Sequence, residues 1–118
     1  MLNQAPALDL LFQALADPTR RAIVERLSRG PASVSELAAP FAMSLPAIVQ
    51  HLEVLETSGV VSSSKTGRVR TCRIEPNALR AAEHWIATRR ATWERRLDRL
   101  DAYLHRMKHL EARDGDKH

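Results

Sequence analysis

Ala47, Gln50 and His51 lie on one side of the run SLPAIVQHLEVL at residues 44–55. They are small groups and neutral hydrogen-bonders, side chains that suit the edges of bases in a DNA major groove. The run predicts an amphipathic helix of about three turns. Ile48, Leu52 and Leu55 recur at spacings of four and three, so they form a stripe that must bury. Ser44 is a good N-cap, because its hydroxyl can accept from an orphan N–H of the first turn. Pro46 falls within that turn, where a missing N–H costs nothing. Ser58 and Gly59 then stop the helix. A solvated helix face usually carries Lys and Glu, and this one carries almost no charge. An ordinary packed helix with a quiet surface fits the same residues, so the neighbouring elements must decide.

The next chemistry-bearing group is cationic. Residues 60–65 and 68–74 are strand-like and are joined by Thr66 and Gly67, a hairpin with glycine at its turn. Its tip carries Lys65, Arg68 and Arg70, with Arg73 further down. A bare hairpin is rarely stable alone and must lean on the helices. Placed directly after a helix-turn-helix it is a wing, whose arginines hold phosphates beside the groove. Arginines that guard a strand edge against aggregation are the plainer alternative.

Other constellations are weaker. Asp101, His105 and His109 stack at spacings of four along one helix face, where two His at i and i+4 can bind a metal. They also fit a solvated helix end, where His is favoured. Cys72, between Arg70 and Arg73, reads as core because Ile74 shares its side of the strand. No phosphate loop, nucleophile elbow or zinc-hydrolase pattern is present, so no enzyme and no cofactor are expected.

Composition narrows the partners. The 118 residues suit a single modest domain. Lys and Arg number 18 against 14 Asp and Glu, a net charge of +4, and the sequence pI is near 10. Both agree with a polyanion partner. Aromatic residues are only 4% of the chain, too few for base stacking on single strands. One cysteine means no internal disulfide and fits a reducing cytoplasm. No apolar run approaches the roughly twenty residues that span a bilayer.

The rest of the chain must position these groups. Residues 8–16 form a short helix that is apolar over most of its circumference, including Leu8, Leu11 and Phe12, and needs cover on both sides. Asp17 and Pro18 start a second helix to about residue 28, with Ala22, Ile23 and Leu27 inward. Ser33 and Glu36 form a capping box for a third helix that must end near Pro40. Only Phe41, Ala42 and Met43 separate it from Ser44, which makes a helix-turn-helix. After the hairpin, Asn77 caps a short helix through Trp85. A longer one runs over residues 88–110, where Trp93, Leu97, Leu100, Leu104 and Met107 repeat like a coiled-coil seam. That seam is expected to pair with its copy in a second subunit, together with the first helix. Residues 111–118 are expected to be a frayed polar tail.

From Leu15 to about Leu104 the chain resembles the ArsR/SmtB family of winged-helix transcriptional repressors. The resemblance rests on LADPTRR at residues 15–21, SELA at 35–38, QHLEVLE at 50–56, SGVV at 58–61 and Gly67-Arg68. It implies a homodimer built on the first and last helices, with two recognition helices in successive major grooves of a pseudo-palindromic site. By position it implies that Ser44, Pro46, Ala47, Gln50 and His51 face DNA. Metal sensors of this family place cysteines directly after a Glu-Leu pair, whereas Glu36-Leu37 is followed here by Ala38, Ala39 and Pro40. The family's Asp-x-His pattern occurs only at Asp116-Lys117-His118, so soft-metal sensing at the familiar places is not expected.

The expected fold is mainly α with a small β-hairpin: a winged helix-turn-helix ordered α-α-α-α-β-β-α-α, one domain over residues 1–110, dimerising through its terminal helices. The expected function is a cytoplasmic, sequence-specific regulator of double-stranded DNA, a repressor, with no membrane partner. An effector, if there is one, belongs between the last helices, and no pattern names it. The alternative is a dimeric adaptor or antitoxin-like module that binds protein without reading DNA.

Overall fold

The structure, a computed structural model, describes residues 5–115. Among them the order is α1 (Ala5–Leu15), α2 (Pro18–Leu27), β1 (Ala32–Ser33), α3 (Val34–Ala38), α4 (Leu45–Thr57), β2 (Val61–Thr66), β3 (Val69–Ile74) and α5 (Pro76–Gly115). The chain divides into two compact units, one ending at Ala82 and the other beginning at Glu83, so α5 contributes to both.

In the first unit the helices start where local chemistry satisfies their orphan donors. The Asp17 carboxylate accepts from the Arg20 N–H at 2.9 Å, with Pro18 in the first turn. Ser33 and Glu36 close a reciprocal capping box at 3.1 Å each way. The Ser44 hydroxyl accepts from the Ala47 N–H at 3.3 Å. At its other end α4 is closed by two backbone bonds, Val60 N–H to Leu55 C=O at 3.1 Å and Gly59 N–H to Glu56 C=O at 3.0 Å. This Schellman pattern needs a left-handed residue after the cap, and Gly59 supplies it at φ +82.

Two of these caps make stability depend on pH. The Arg20 N–H, helped by the Arg20 guanidinium and His51, holds the Asp17 carboxyl below its ordinary value. The Ser33 N–H and hydroxyl, helped by Arg26, do the same for Glu36. Carboxyls lowered in the folded state contribute stability above the ordinary carboxylate range and lose it as pH falls through their folded values. We therefore expect Tm to fall on acidification across that range, and Asp17→Asn with Glu36→Gln to flatten the fall. An unchanged slope in the double variant would remove the caps as its source.

The core collects Ile48, Leu52 and Leu55 of α4 against Ile23 and Leu27 of α2, Leu37 of α3, and Val60, Val61 and Cys72. Each fully buried aliphatic side chain stabilises by about 1.5–3 kcal/mol relative to exposure. Cys72 lies in β3, the middle strand of a sheet ordered β1-β3-β2, and burial pushes its thiol pKa up. It is a core residue, as expected.

Four expectations need correction. The hairpin is part of a three-stranded sheet, because Ala32 and Ser33 pair antiparallel with Cys72 and Thr71. The last two helices are one: α5 runs unbroken from Pro76, and the Thr88 hydroxyl donates to the His84 carbonyl at 2.9 Å within the helix. Pro76 is its first residue and Asn77 lies inside it, accepting from Arg80 at 2.7 Å instead of capping. Glu111 to Gly115, assigned to the tail, continue the helix; residues 116–118 lie outside the described residues.

The second unit is the remainder of α5. It presents the seam along one side, Trp93 at 62% exposure, Leu97 at 55%, Leu100 at 54%, Leu104 at 51% and Met107 at 41%. Charged neighbours salt the flanks, as in the Arg90–Glu94 pair at 3.7 Å. Among the described residues no helix is long and apolar enough to cross a membrane.

Candidate nucleic-acid interface

The short α3 and the loop after it deliver α4 with its N-terminal turn outward. Met43, Ser44, Leu45 and Pro46 are all exposed there, while Ala47 is half-buried at the edge. The Ser44 oxygen is occupied by the Ala47 N–H, which leaves its own hydroxyl proton to donate outward. Met43 and Leu45 did not stand out in the sequence. Each is a large apolar side chain on this surface, at 40% and 52% exposure. Their signal was available: both precede the first buried residue of the stripe, Ile48, at positions that the stripe cannot use.

Gln50 is exposed one turn further along α4, and among the described residues no hydrogen bond claims its amide. Leu10 and Gln13 of α1 border it, with Glu53, Val54 and Thr57 along its own helix. The exposed face therefore acquires a carboxylate towards its C-terminal end, and its uncharged part is confined to the first two turns. His51, expected beside Gln50 at the DNA-facing edge, is half-buried and turned towards the start of α2. Its Nδ1 lies 3.2 Å from Arg20 Nη1 and 3.8 Å from Asp17 Oδ2.

The wing departs from expectation in one residue. Lys65 and Arg68 stand exposed at the hairpin tip, where Gly67 at φ +63 opens the two-residue turn, as a type II′ turn requires. Neither holds an ion pair among the described residues. Arg70, grouped with them from the sequence, folds back instead. Its Nη2 donates to both oxygens of Glu56, and its Nε donates to the Ser63 hydroxyl at 2.9 Å, which in turn donates to Glu56. Both partners are about two-thirds or more covered, at 31% and 25% side-chain exposure, so this bidentate pair is screened less than a surface pair. Arg70 thus fastens the hairpin to the last turn of α4 rather than projecting from its tip.

The remaining candidates separate in the same way. Leu11 is 3% exposed in the chain's own core and has no surface to give a partner, whereas Leu8 and Phe12 are half-buried. Asp101 and His105 approach to 4.0 Å on an exposed part of α5. Among the described residues no group of three or more His, Cys, Asp or Glu could hold a metal ion.

An exposed, nearly uncharged helix start after a tight turn, with a cationic hairpin fastened to the same helix, is the surface of a winged helix-turn-helix. A family model described as "Helix-turn-helix domain" matches residues 15–63. The chain is 49% identical over 73 residues to the HTH-type transcriptional regulator Rv2034 of Mycobacterium tuberculosis, covering 62% of this chain and 68% of that one. It is 30% identical over 76 residues to the transcriptional repressor SdpR of Bacillus subtilis, covering 64% and 84%. The crystal structure of the ArsR family transcriptional regulator RHA00566 superposes with a TM-score of 0.74 at 53% identity, over 80% of this chain and 97% of that one. The solution structure of Mb0332 from Mycobacterium bovis, described as a homodimeric winged helix-turn-helix DNA-binding domain, gives 0.58 at 25% identity, over 75% and 88%. With nearly the whole of one relative and more than two thirds of another covered at about half identity, the chain belongs to the ArsR family of helix-turn-helix transcriptional regulators.

Proposed function

We propose that this chain is a cytoplasmic repressor that binds a pseudo-palindromic operator in double-stranded DNA as a homodimer. The observation that carries the reading is the junction of α4 with the wing. The Glu56–Arg70 pair fixes the angle between a helix start built for base edges and a hairpin whose Lys65 and Arg68 are left for phosphates. In this reading Ser44, Pro46, Ala47 and Gln50 face the groove, His51 borders it from its place against Arg20, and Met43 and Leu45 offer apolar contact to thymine methyls. Leu8, Phe12 and the α5 seam bring two such surfaces together, one helical turn of DNA apart. SdpR, a repressor by name, and Mb0332, a homodimer by description, support these two points.

Binding to a duplex from the gene's own upstream region, followed by fluorescence anisotropy over a range of salt, tests the proposal. Tight, salt-sensitive, sequence-preferring binding is expected. Arg68→Ala should weaken binding on every sequence and reduce the slope of log affinity against log salt by about one unit. An unchanged slope would sink the phosphate role of the wing. Absence of specific binding by the unaltered protein would favour a protein-binding adaptor instead.

A further inference from the structure

The Arg20 side chain makes polar contacts to two other elements, α1 and α4. Its Nε donates to the Ala14 carbonyl at 2.7 Å and its Nη2 to the Gln13 carbonyl at 3.1 Å, both in the last turn of α1, where the Gln13 carbonyl also accepts from the Ala16 N–H at 3.2 Å. Its Nη1 lies 3.2 Å from His51 Nδ1 on α4. Its backbone N–H meanwhile caps onto Asp17. A guanidinium has only donors, so this contact is a hydrogen bond when Nδ1 of His51 accepts, which in the neutral ring places the proton on Nε2. The Asp17 carboxylate, the other charged group facing this ring, would draw a proton to Nδ1. At 3.8 Å it makes no hydrogen bond, and Arg20 lies closer. On α4 itself the residues three and four positions away are Ile48, Val54, Ala47 and Leu55, none of which titrates.

We propose that Arg20 is a positioning residue for DNA recognition: it holds His51 as the Nε2–H tautomer and ties the recognition helix to the end of α1. Resting on the DNA-binding reading above, this assigns a single arginine to two tasks. The two carbonyl bonds close α1 and contribute stability. The third bond sets the orientation of His51 and the one donor its ring presents. A planar fork with donors on three nitrogens can satisfy all three acceptors at once; a lysine ammonium on a flexible stem cannot. Because α1 carries Leu8 and Phe12, the same arginine is a polar link, beside the direct packing of α1 on α4, between the proposed N-terminal part of the dimer surface and the DNA-reading helix.

The test combines imidazole ¹⁵N NMR on the free protein with DNA affinity on the upstream duplex. His51 in the unaltered protein should show an unprotonated Nδ1 and a protonated Nε2; Arg20→Gln should give a tautomer mixture, and Arg20→Lys should not restore the pure form. Arg20→Gln should weaken specific binding about tenfold, the worth of one charge-assisted hydrogen bond. The same substitution in a His51→Gln background should cost nothing further in affinity, while its loss of Tm should persist in both backgrounds. A single Nε2–H tautomer in Arg20→Gln, or an affinity loss that repeats in full without His51, would overturn the proposal. If Arg20→Gln does not fold, Arg20→Lys carries the same two readings. Failure of the unaltered protein to prefer its duplex would instead overturn the DNA-binding reading, and the NMR result would still judge the Arg20–His51 lock by itself.

Discussion

Leu100→Asp combined with Leu104→Asp is expected to leave the protein monomeric in analytical ultracentrifugation and to abolish specific DNA binding. Both side chains are about half exposed in the single chain, at 54% and 51%, so neither holds the fold of its own unit together. An exposed Asp costs an α-helix only about half a kcal/mol, and helicity by circular dichroism should hardly change. Association is a different matter. Covering the exposed half of a leucine is worth on the order of 1 kcal/mol, and a two-fold interface counts each position twice. The double variant therefore forfeits about 4 kcal/mol, close to a thousandfold in the dimer dissociation constant, before any charge is forced into the seam. A monomer engages one half-site and loses the gain from joining two. A dimer that survives both substitutions would show that the seam is not the interface.

Gln50→Ala carries the second large effect. The side chain is exposed and makes no hydrogen bond among the described residues, and alanine is the better helix former, so Tm should stay level or rise slightly. Affinity for the specific duplex should fall by about 1–3 kcal/mol, the usual worth of one good base contact. Affinity for unrelated DNA should be unchanged, because that binding rests on phosphates. Loss on both kinds of DNA would make Gln50 a backbone contact. Loss on neither would remove it from the interface and turn attention to the first turn of α4, where Ser44 and Leu45 stand exposed.

Beside these, Arg70 shows how a site can be read in outline and misplaced in detail. Its position after a glycine turn announced a wing cation. Glu56, fourteen residues away on another element, claims it. Nothing within reach of Arg70 along the strand distinguishes it from Arg68, and only the packing of the hairpin on α4 does. His51 repeats the lesson over a separation of 31 residues, drawn from the groove edge towards Arg20. Leu11 repeats it in the core: an all-apolar α1 suggested partners on both sides, and the chain's own core took one of them.

What residues determine among near neighbours was legible in the sequence alone. The caps at Asp17, Ser33 and Ser44, the buried stripe Ile48–Leu52–Leu55, the stop at Gly59 and the turn at Gly67 involve groups at most a few positions apart, within reach whatever the rest of the chain does. The continuity of α5 through Trp85 and Thr88 belongs to this same local level, since no Gly or Pro stands there to end the helix. Tertiary structure alone decided the pairing of Ala32 and Ser33 with β3, the return of Arg70 to Glu56, and the capture of His51 by Arg20. A two-residue strand has no periodicity to announce it, and a charged side chain has no sequence signature for the partner it meets. Such contacts exist only once burial of the core has brought distant segments together.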